Sequence, residues 1–304
     1  MRALLPCLTA LALAGTAHAQ QLADPDADLT VAHPAFRPPG PRVVVDGGHH
    51  NFHTVDGRYA PFAGVLRNDG LTVTGSTGPL DDTALRGVAI LVIANPLAEA
   101  NAPDRWYRPT PSAFTPAEIA AVHRFVERGG SLLLIADHMP FAGAAHDLGA
   151  AFGVEFLNGF AFSAPPDQPQ PPDLFTRANS GLLDDPVVAD VNQVRTFTGS
   201  AFTARDPGVR PLLRLGRGWT VVEPDTAWEF SAGTRATGGE GKLQGALLEA
   251  GRGRVAVFAE AAMFTAQVTG PQRVPTGLRA PGAEENKQFL LDIVRWLAGR
   301  NGRG

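Results

Sequence analysis

Three short runs, apolar throughout, set the first limit on this chain: Val43-Val44-Val45, the seven residues Val88 to Ala94, and Leu132 to Ala136. A strand with one wet face alternates apolar and polar residues. These do not alternate, so both faces of each must be buried. Each run is of strand length and stops abruptly, on Asp46-Gly47-Gly48, Asn95-Pro96 and Asp137-His138-Met139-Pro140. Segments with helical spacing lie between and after them. Tyr59, Phe62, Val65 and Leu66 share a face in a helix expected over 57–68, capped by Asp56 and ended by Gly70. Thr115-Pro116-Ala117-Glu118 opens another helix with a threonine cap, proline at the first position and glutamate at the third. Its buried face is Ile119, Val122, Phe125 and Val126, and Gly129-Gly130 stops it. A shorter helix is expected over 144–152. Glu284–Leu297 is an amphipathic closing helix with Phe289, Leu290, Ile293, Trp296 and Leu297 inward. Strands alternating with helices imply an α/β fold with a doubly wound, mostly parallel sheet.

Beyond Gly159 the texture changes. A proline-rich loop, Pro165 to Pro172, leads to short candidate strands at 196–202, 211–215, 220–222 and 227–231. Long strands return at Gln244–Glu249 and Arg254–Glu260. The expected organisation is therefore one domain over residues 42–300 with a β-rich insertion at about 160–240. An extended, proline-rich lead-in over 20–41 precedes it. Residues 1–19 have the form of a secretory signal: Arg2, an apolar stretch Ala3–Gly15, and Ala17-His18-Ala19 before Gln20. Cleavage near Ala19 would deliver a periplasmic or secreted protein. Cys7, the one cysteine of the 304 residues, would leave with the leader. Disulfides, thiolate metal sites and a cysteine nucleophile are then excluded. The net charge of −4 supplies no broad basic field, which argues against nucleic acid as a partner. No later segment has the length of a membrane span.

Several motifs together resemble an uncharacterised, exported bacterial family of the class I glutamine amidotransferase-like superfamily. They are Asp46-Gly47-Gly48-His49-His50-Asn51-Phe52-His53-Thr54, Ala136-Asp137-His138-Met139-Pro140-Phe141, Val257-Phe258-Ala259-Glu260-Ala261-Ala262-Met263-Phe264, and the segment from Asn286 to Leu291. The superfamily also contains auxiliary domains of gliding-motility ABC transporters. The resemblance spans most of residues 42–300 and implies a flavodoxin-like fold. It assigns no activity. In the amidotransferases a cysteine sits on a strand-to-helix elbow, whereas the comparable strand here ends in Asp137-His138. The resemblance therefore carries no glutaminase chemistry.

Open α/β sheets hold ligands at the carboxyl ends of their strands, and the polar residues of this chain gather there. Five of the eight histidines (His49, His50, His53, His138 and His146) fall at or just after two strand ends. Asp46, Asp137, Asn95 and Glu260 end strands on the same expected edge. Imidazole and carboxylate together suit a divalent metal: zinc first, with iron or manganese as alternatives. The expected ligands are His49, His53, His138 and Asp137, with Asp46 and Glu260 next. The expected catalytic groups are Asp46, Asp137, Glu260 and Arg58, one carboxylate serving as base toward a metal-bound water. Arg58 would hold an anionic group of the substrate. His50 is expected to point away, and His146 to be solvated. No H-E-x-x-H, G-x-S-x-G, G-x-G-x-x-G or P-loop lysine is present. A metal-free acid–base site, or helix capping and loop tying by the same residues, remains open. The 97–114 loop, with Asn101, Trp106, Tyr107 and Arg108, is long enough to be functional. Trp106, Tyr107, Trp219 and Trp228 are core residues or a stacking platform. Two functions follow. One is an exported hydrolase for an envelope or nutrient molecule (glycan, peptide or ester). The other is a non-catalytic ligand-binding or transporter-auxiliary module with an envelope protein as partner.

Overall fold

The computed structural model describes residues 21–300, so the expected signal and Cys7 lie outside the described residues. In chain order the elements are β1 (Gln21–Ala23), β2 (Arg42–Asp46), α1 (Ala60–Asn68), β3 (Thr72–Ser76), β4 (Ile90–Ala94), α2 (Pro116–Glu127), β5 (Ser131–Ile135) and α3 (Phe141–Ala150). Then come β6 (Val154–Leu157), β7 (Phe160–Phe162), β8 (Asp173–Thr176), β9 (Gln193–Thr196), β10 (Ala201–Ala204), β11 (Arg210–Arg214), β12 (Thr220–Glu223) and β13 (Arg235–Gly238). The last are β14 (Leu243–Ala250), β15 (Gly253–Phe258), β16 (Ala266–Thr269), β17 (Val274–Gly277) and α4 (Asn286–Leu297).

The fold is mixed α/β around a nine-stranded sheet, ordered β3-β2-β4-β5-β15-β14-β10-β6, with β11 also on β14. The apolar runs do become strands with both faces buried. Val43 and Val45, Ile90 and Val92, Leu133 and Ile135, and Ala256 and Phe258 enter one core together with the buried faces of α1 and α4. Val44, Leu91, Ile93, Leu132, Leu134, Val255 and Val257 enter a second core with α2 and α3. Alternate side chains of a strand point to opposite faces, so a run with no polar member fills both cores at once.

The sheet is mixed rather than mostly parallel. β3, β2, β4, β5 and β15 are mutually parallel, but β14, β10, β6 and β11 are added antiparallel. The reason is the short link between Ala250 and Gly253. A parallel neighbour needs a crossover of about a dozen residues, and only a tight turn fits here. Gly251 takes φ +59 in that turn. β10 and β11, from the stretch expected as an insertion, join the main sheet, while β7, β12 and β13 form a small sheet of their own. The expected strand at 227–231 is irregular backbone, and β9 and β10 are two strands where one was expected.

Local capping follows the sequence in α2 and departs from it in α1. The Thr115 hydroxyl accepts from the Glu118 amide, and the Glu118 carboxylate accepts from the Thr115 amide at 2.9 Å, a complete capping box. Helix α1 starts at Ala60, after a turn, with Tyr59 rather than Asp56 at its N-cap and no side-chain cap bond. Helix α3 begins three residues earlier than expected, directly after Pro140. Among the described residues no helix is long and apolar enough to cross a membrane. Thr115→Ala removes one half of the capping box, so it should lower unfolding stability by about 1 kcal/mol in urea titrations, with an unchanged denaturant slope.

Candidate functional site

The parallel strands end at one edge of the sheet, and a cavity of about 1010 Å³ opens there. Its lining includes Asn95 after β4, Asp137 and His138 after β5, and His53 and Arg58 from the segment after β2. Arg195 and Thr196 of β9 and Asp173 at the start of β8 enclose it from another side. Phe52, Trp106, Tyr107, Phe141, Phe197 and Trp228 supply its aromatic walls.

The expected cluster is divided by the sheet. The chain from Gly47 to His53 crosses the end of β4, where the Phe52 amide donates to the Asn95 carbonyl at 2.9 Å and the Leu97 amide to the His49 carbonyl at 2.9 Å. Four residues apart, His49 and His53 fall on opposite faces. His49 packs on Phe114, with ring centroids 4.6 Å apart, in the core beneath α2. His53 packs on Tyr59 at 4.7 Å, in the core beneath α1. His49 therefore does not join His53, His138 and Asp137, and the expected four-ligand metal set does not assemble. Among the described residues no group of three or more His, Cys, Asp or Glu is placed to hold a metal ion. Asp46 is likewise not at the cavity. Its fully buried carboxylate accepts from the Gly48 amide at 3.1 Å and holds His49 Nδ1 at 2.8 Å. His50, with φ +47, is exposed as expected, and so is His146.

Asp46, His49 and Glu118 form a network of their own, with His49 Nε2 at 3.1 Å from Glu118 Oε1. Burial works most strongly against a charge on His49, but hydrogen bonding and attraction from Asp46, then from Glu118, outweigh it and raise the His49 pKa. Burial opposes the Glu118 charge as well, yet bonds from Thr115, His49 and Leu80 lower its pKa to about 2. The network ties the β2 loop to the start of α2.

Glu260 is held by the backbone. It is fully buried, does not line the cavity, and accepts from the Ala262 and Met263 amides at 2.7 and 2.8 Å. Burial and the charge of nearby Asp137 push its pKa well above the carboxylate range. Asp137 does line the cavity. Burial raises its pKa, against His138 and the hydrogen bonds it accepts from the backbone. The Asp137 amide donates to Asn95 Oδ1 at 2.9 Å, and Asp137 Oδ1 accepts from the His138 amide at 2.7 Å.

His138 is held by chemistry that fixes its proton. Its Nδ1 lies 2.7 Å from the Met139 carbonyl oxygen, which can only accept. The neutral ring therefore carries its proton on Nδ1 and leaves the Nε2 lone pair free. Phe160 stacks on the ring at 4.6 Å and 12°, and Trp228 meets its edge at 4.8 Å. His53 is fully buried and neutral over a wide range. Burial, then Arg58 and His138, lower its pKa to about 3.

Arg58 reaches the cavity, as expected. Its guanidinium lies 3.7 Å over the Phe52 ring and donates to the Phe52 carbonyl at 3.2 Å. Arg195 and Asp173 complete a site that the strand-end motifs did not indicate. Asn286 at the start of α4 fixes Arg195: its Oδ1 accepts from the Arg195 amide at 3.0 Å and its Nδ2 donates to the Arg195 carbonyl at 2.8 Å. Burial raises the Asp173 pKa to about 6, against hydrogen bonds from Ser163 and Thr198 and attraction from Arg195. The 97–114 loop supplies Trp106 and Tyr107. Asn101 Nδ2 donates to the Arg105, Tyr107 and Pro109 carbonyls, which holds the loop in shape. Arg108 ties it to the Pro224 and Asn158 carbonyls.

No protein-family model matches this chain, and no curated protein matches it in sequence. Solved structures resemble it in fold. The mmIFT52 N-terminal domain superposes with TM-score 0.61 at 15% identity, over 86% of this chain and 100% of that one. A cytoplasmic protein from Salmonella typhimurium LT2 gives 0.51 at 11% identity, over 84% and 99%. A thua-like protein from Bacteroides uniformis ATCC 8492 gives 0.45 at 12% identity, over 90% and 98%.

The His49 network has a definite pH signature. A folded pKa raised above the usual 6.5 adds stability that is fully present below pH 6.5 and is lost as pH rises through the folded value. Unfolding titrations should show stability falling above pH 6.5 in the wild type. His49→Gln should flatten that fall; an unchanged pH dependence would mean that His49 is not held as a cation.

Proposed function

We propose that the cavity is the site of an exported, hydrolase-like protein that acts on a small envelope or nutrient molecule by metal-free acid–base chemistry. The observation that carries this reading is His138. Its Nδ1 proton is committed to a backbone carbonyl, its Nε2 lone pair is free, and it adjoins a buried carboxylate within an aromatic-walled cavity. In this role His138 Nε2 takes a proton from the attacking water. Asp137, whose pKa is raised by burial, gives a proton to the leaving group. Asn95 is the nearest support: its Oδ1 accepts from the Asp137 amide, its side chain favours the charged form of Asp137, and it lines the cavity. The metal-dependent form of the reading finds less support, because its histidines lie on two faces of the sheet. The flavodoxin-like, glutamine amidotransferase-like kinship stays part of the reading, without the cysteine chemistry. Export rests on the sequence of residues 1–19.

A second reading, a binding module without turnover, is favoured by the number of unpartnered donors around the cavity. Kinetics separates the two. In a screen of glycoside, ester and peptide substrates on the full chain, an active substrate should lose at least about 100-fold in kcat/KM with His138→Ala. The same loss is expected for Asp137→Asn, whereas His49→Gln should stay near wild type. Dialysis against a chelator should leave the rate unchanged. Binding of a ligand with no turnover in any class would favour the second reading.

A further inference from the structure

Polar atoms buried without a hydrogen-bond partner are uncommon in folded proteins, and where they cluster they point to a missing partner. Among the described residues there are nine such side-chain atoms. Five of them belong to residues that line the cavity: His53 Nδ1, Arg58 Nε, Asn95 Nδ2, Arg195 Nε and Thr196 Oγ1. Two of the five are obligate cationic donors and a third is an amide donor. His53 Nδ1 becomes a donor too, when Gln267 Nε2 donates to His53 Nε2 across their 3.0 Å contact. The unpartnered atoms are therefore mostly donors, and they share the cavity with the buried carboxyl groups of Asp137 and Asp173.

The charges point the same way. Neither Arg58 nor Arg195 forms a salt bridge with any described residue. Each instead lies over a phenylalanine, Arg58 over Phe52 and Arg195 over Phe197 at 4.8 Å. Arg58 Nη1 donates to the Phe52 carbonyl and Arg195 Nη1 to the Pro281 carbonyl, and the remaining N–H groups of each fork are left for an oxyanion. Four carboxyl groups also line the cavity: Asp104 and Glu229 are exposed, and Asp137 and Asp173 are buried, which raises the pKa of each. Among the remaining lining residues, Thr198, Thr226, Thr269, Thr276, Gln21 and Gln170 carry hydroxyls and amides. Aromatic walls joined to many small polar groups suit a hydroxylated ring better than a flat aromatic one.

We propose that the ligand of this cavity is an acidic saccharide of one to a few rings, whose carboxylate or phosphate groups are bound by Arg58 and Arg195. Trp106 and Trp228 serve the ring faces, and Asn95 and the threonines serve hydroxyls. This rests on the cavity being the functional site, and it names the substrate class of that site.

The test is isothermal titration of the full chain, at fixed ionic strength, with trigalacturonate, glucose 6-phosphate and neutral galactotriose. At least one of the two anions should bind about 10-fold tighter than the neutral sugar. Preference for the uronate would identify carboxylate as the acid group, and preference for the phosphate would identify phosphate. Arg58→Met and Arg195→Met keep the stem on its ring, and each should weaken the preferred anion by about 10-fold. Where a methionine variant fails to melt cooperatively, the lysine variant replaces it. Lysine keeps the charge without the fork and should give a smaller loss. Equal affinity for neutral and acidic sugars, no binding of either anion, or unchanged affinity in the folded arginine variants overturns the proposal. Tight anion binding without turnover removes the hydrolase reading and leaves this one standing. Turnover of a neutral sugar alone does the reverse.

Discussion

The in-register parallel pairing of β2, β4, β5 and β15 is the constraint on which the rest depends. Val45 opposes Val92, Val92 opposes Leu133, and Leu133 opposes Ala256 across the sheet. Because the strands are level, their ends are level, and the residues that follow them arrive at one edge. Neither core can be given up without the other, since each strand feeds both in alternation. A register slip of one residue would exchange the two faces and bring bulky side chains against the wrong helices. The polar edge is in this sense a by-product of apolar packing.

The cost of that edge is buried polar surface, and the fold meets it almost wholly with backbone bonds. Glu260, whose pKa is raised by burial, is satisfied by two amides. Tyr59 is buried beneath the site and donates to the Ala261 carbonyl at 2.9 Å. Asn286 closes two bonds on Arg195 and a third, 3.2 Å long, to the Met263 carbonyl. These groups hold the segment 260–264 and the residue Arg195 against the cavity floor. Among the described residues, five of the nine unpartnered buried side-chain atoms belong to residues that line the cavity. Asn95 adds backbone strain to its unpaired amide, with φ +50 at the end of β4, a left-handed conformation that costs energy in a residue other than glycine.

The walls come from far along the chain. Trp106 belongs to the loop after β4, Phe141 to the first turn of α3, and Trp228 to the irregular stretch after β12. Trp228 itself takes φ +68. The stretch from Tyr107 to Arg108 is fastened to residues 224–226 by a bridge to Thr226 and by the Arg108 side chain. The enclosure is thus built by remote segments closing over a site that the sheet alone would leave open.

The sequence by itself determined the strands buried on both faces, their order along the chain, the capping box of α2, the inward face of α4, and the gathering of Asn95, Asp137 and His138 at one edge. All of these follow from residue types within a few positions of one another, where apolar period and capping chemistry act locally. The sequence also carried the short Ala250–Gly253 link that makes the sheet mixed. That signal was legible in the spacing of two strands, yet it lost to the expectation of continued alternation. Only the tertiary structure decided that His49 and His53 part company. Their four-residue spacing is silent about which side of the sheet each side chain takes when the loop crosses β4. Only the tertiary structure, too, brought Arg195 and Asp173 to the cavity, through β8, β9 and a pairing with α4 some 90 residues away. Contacts at that separation depend on how the cores pack, and no local pattern of residues encodes them.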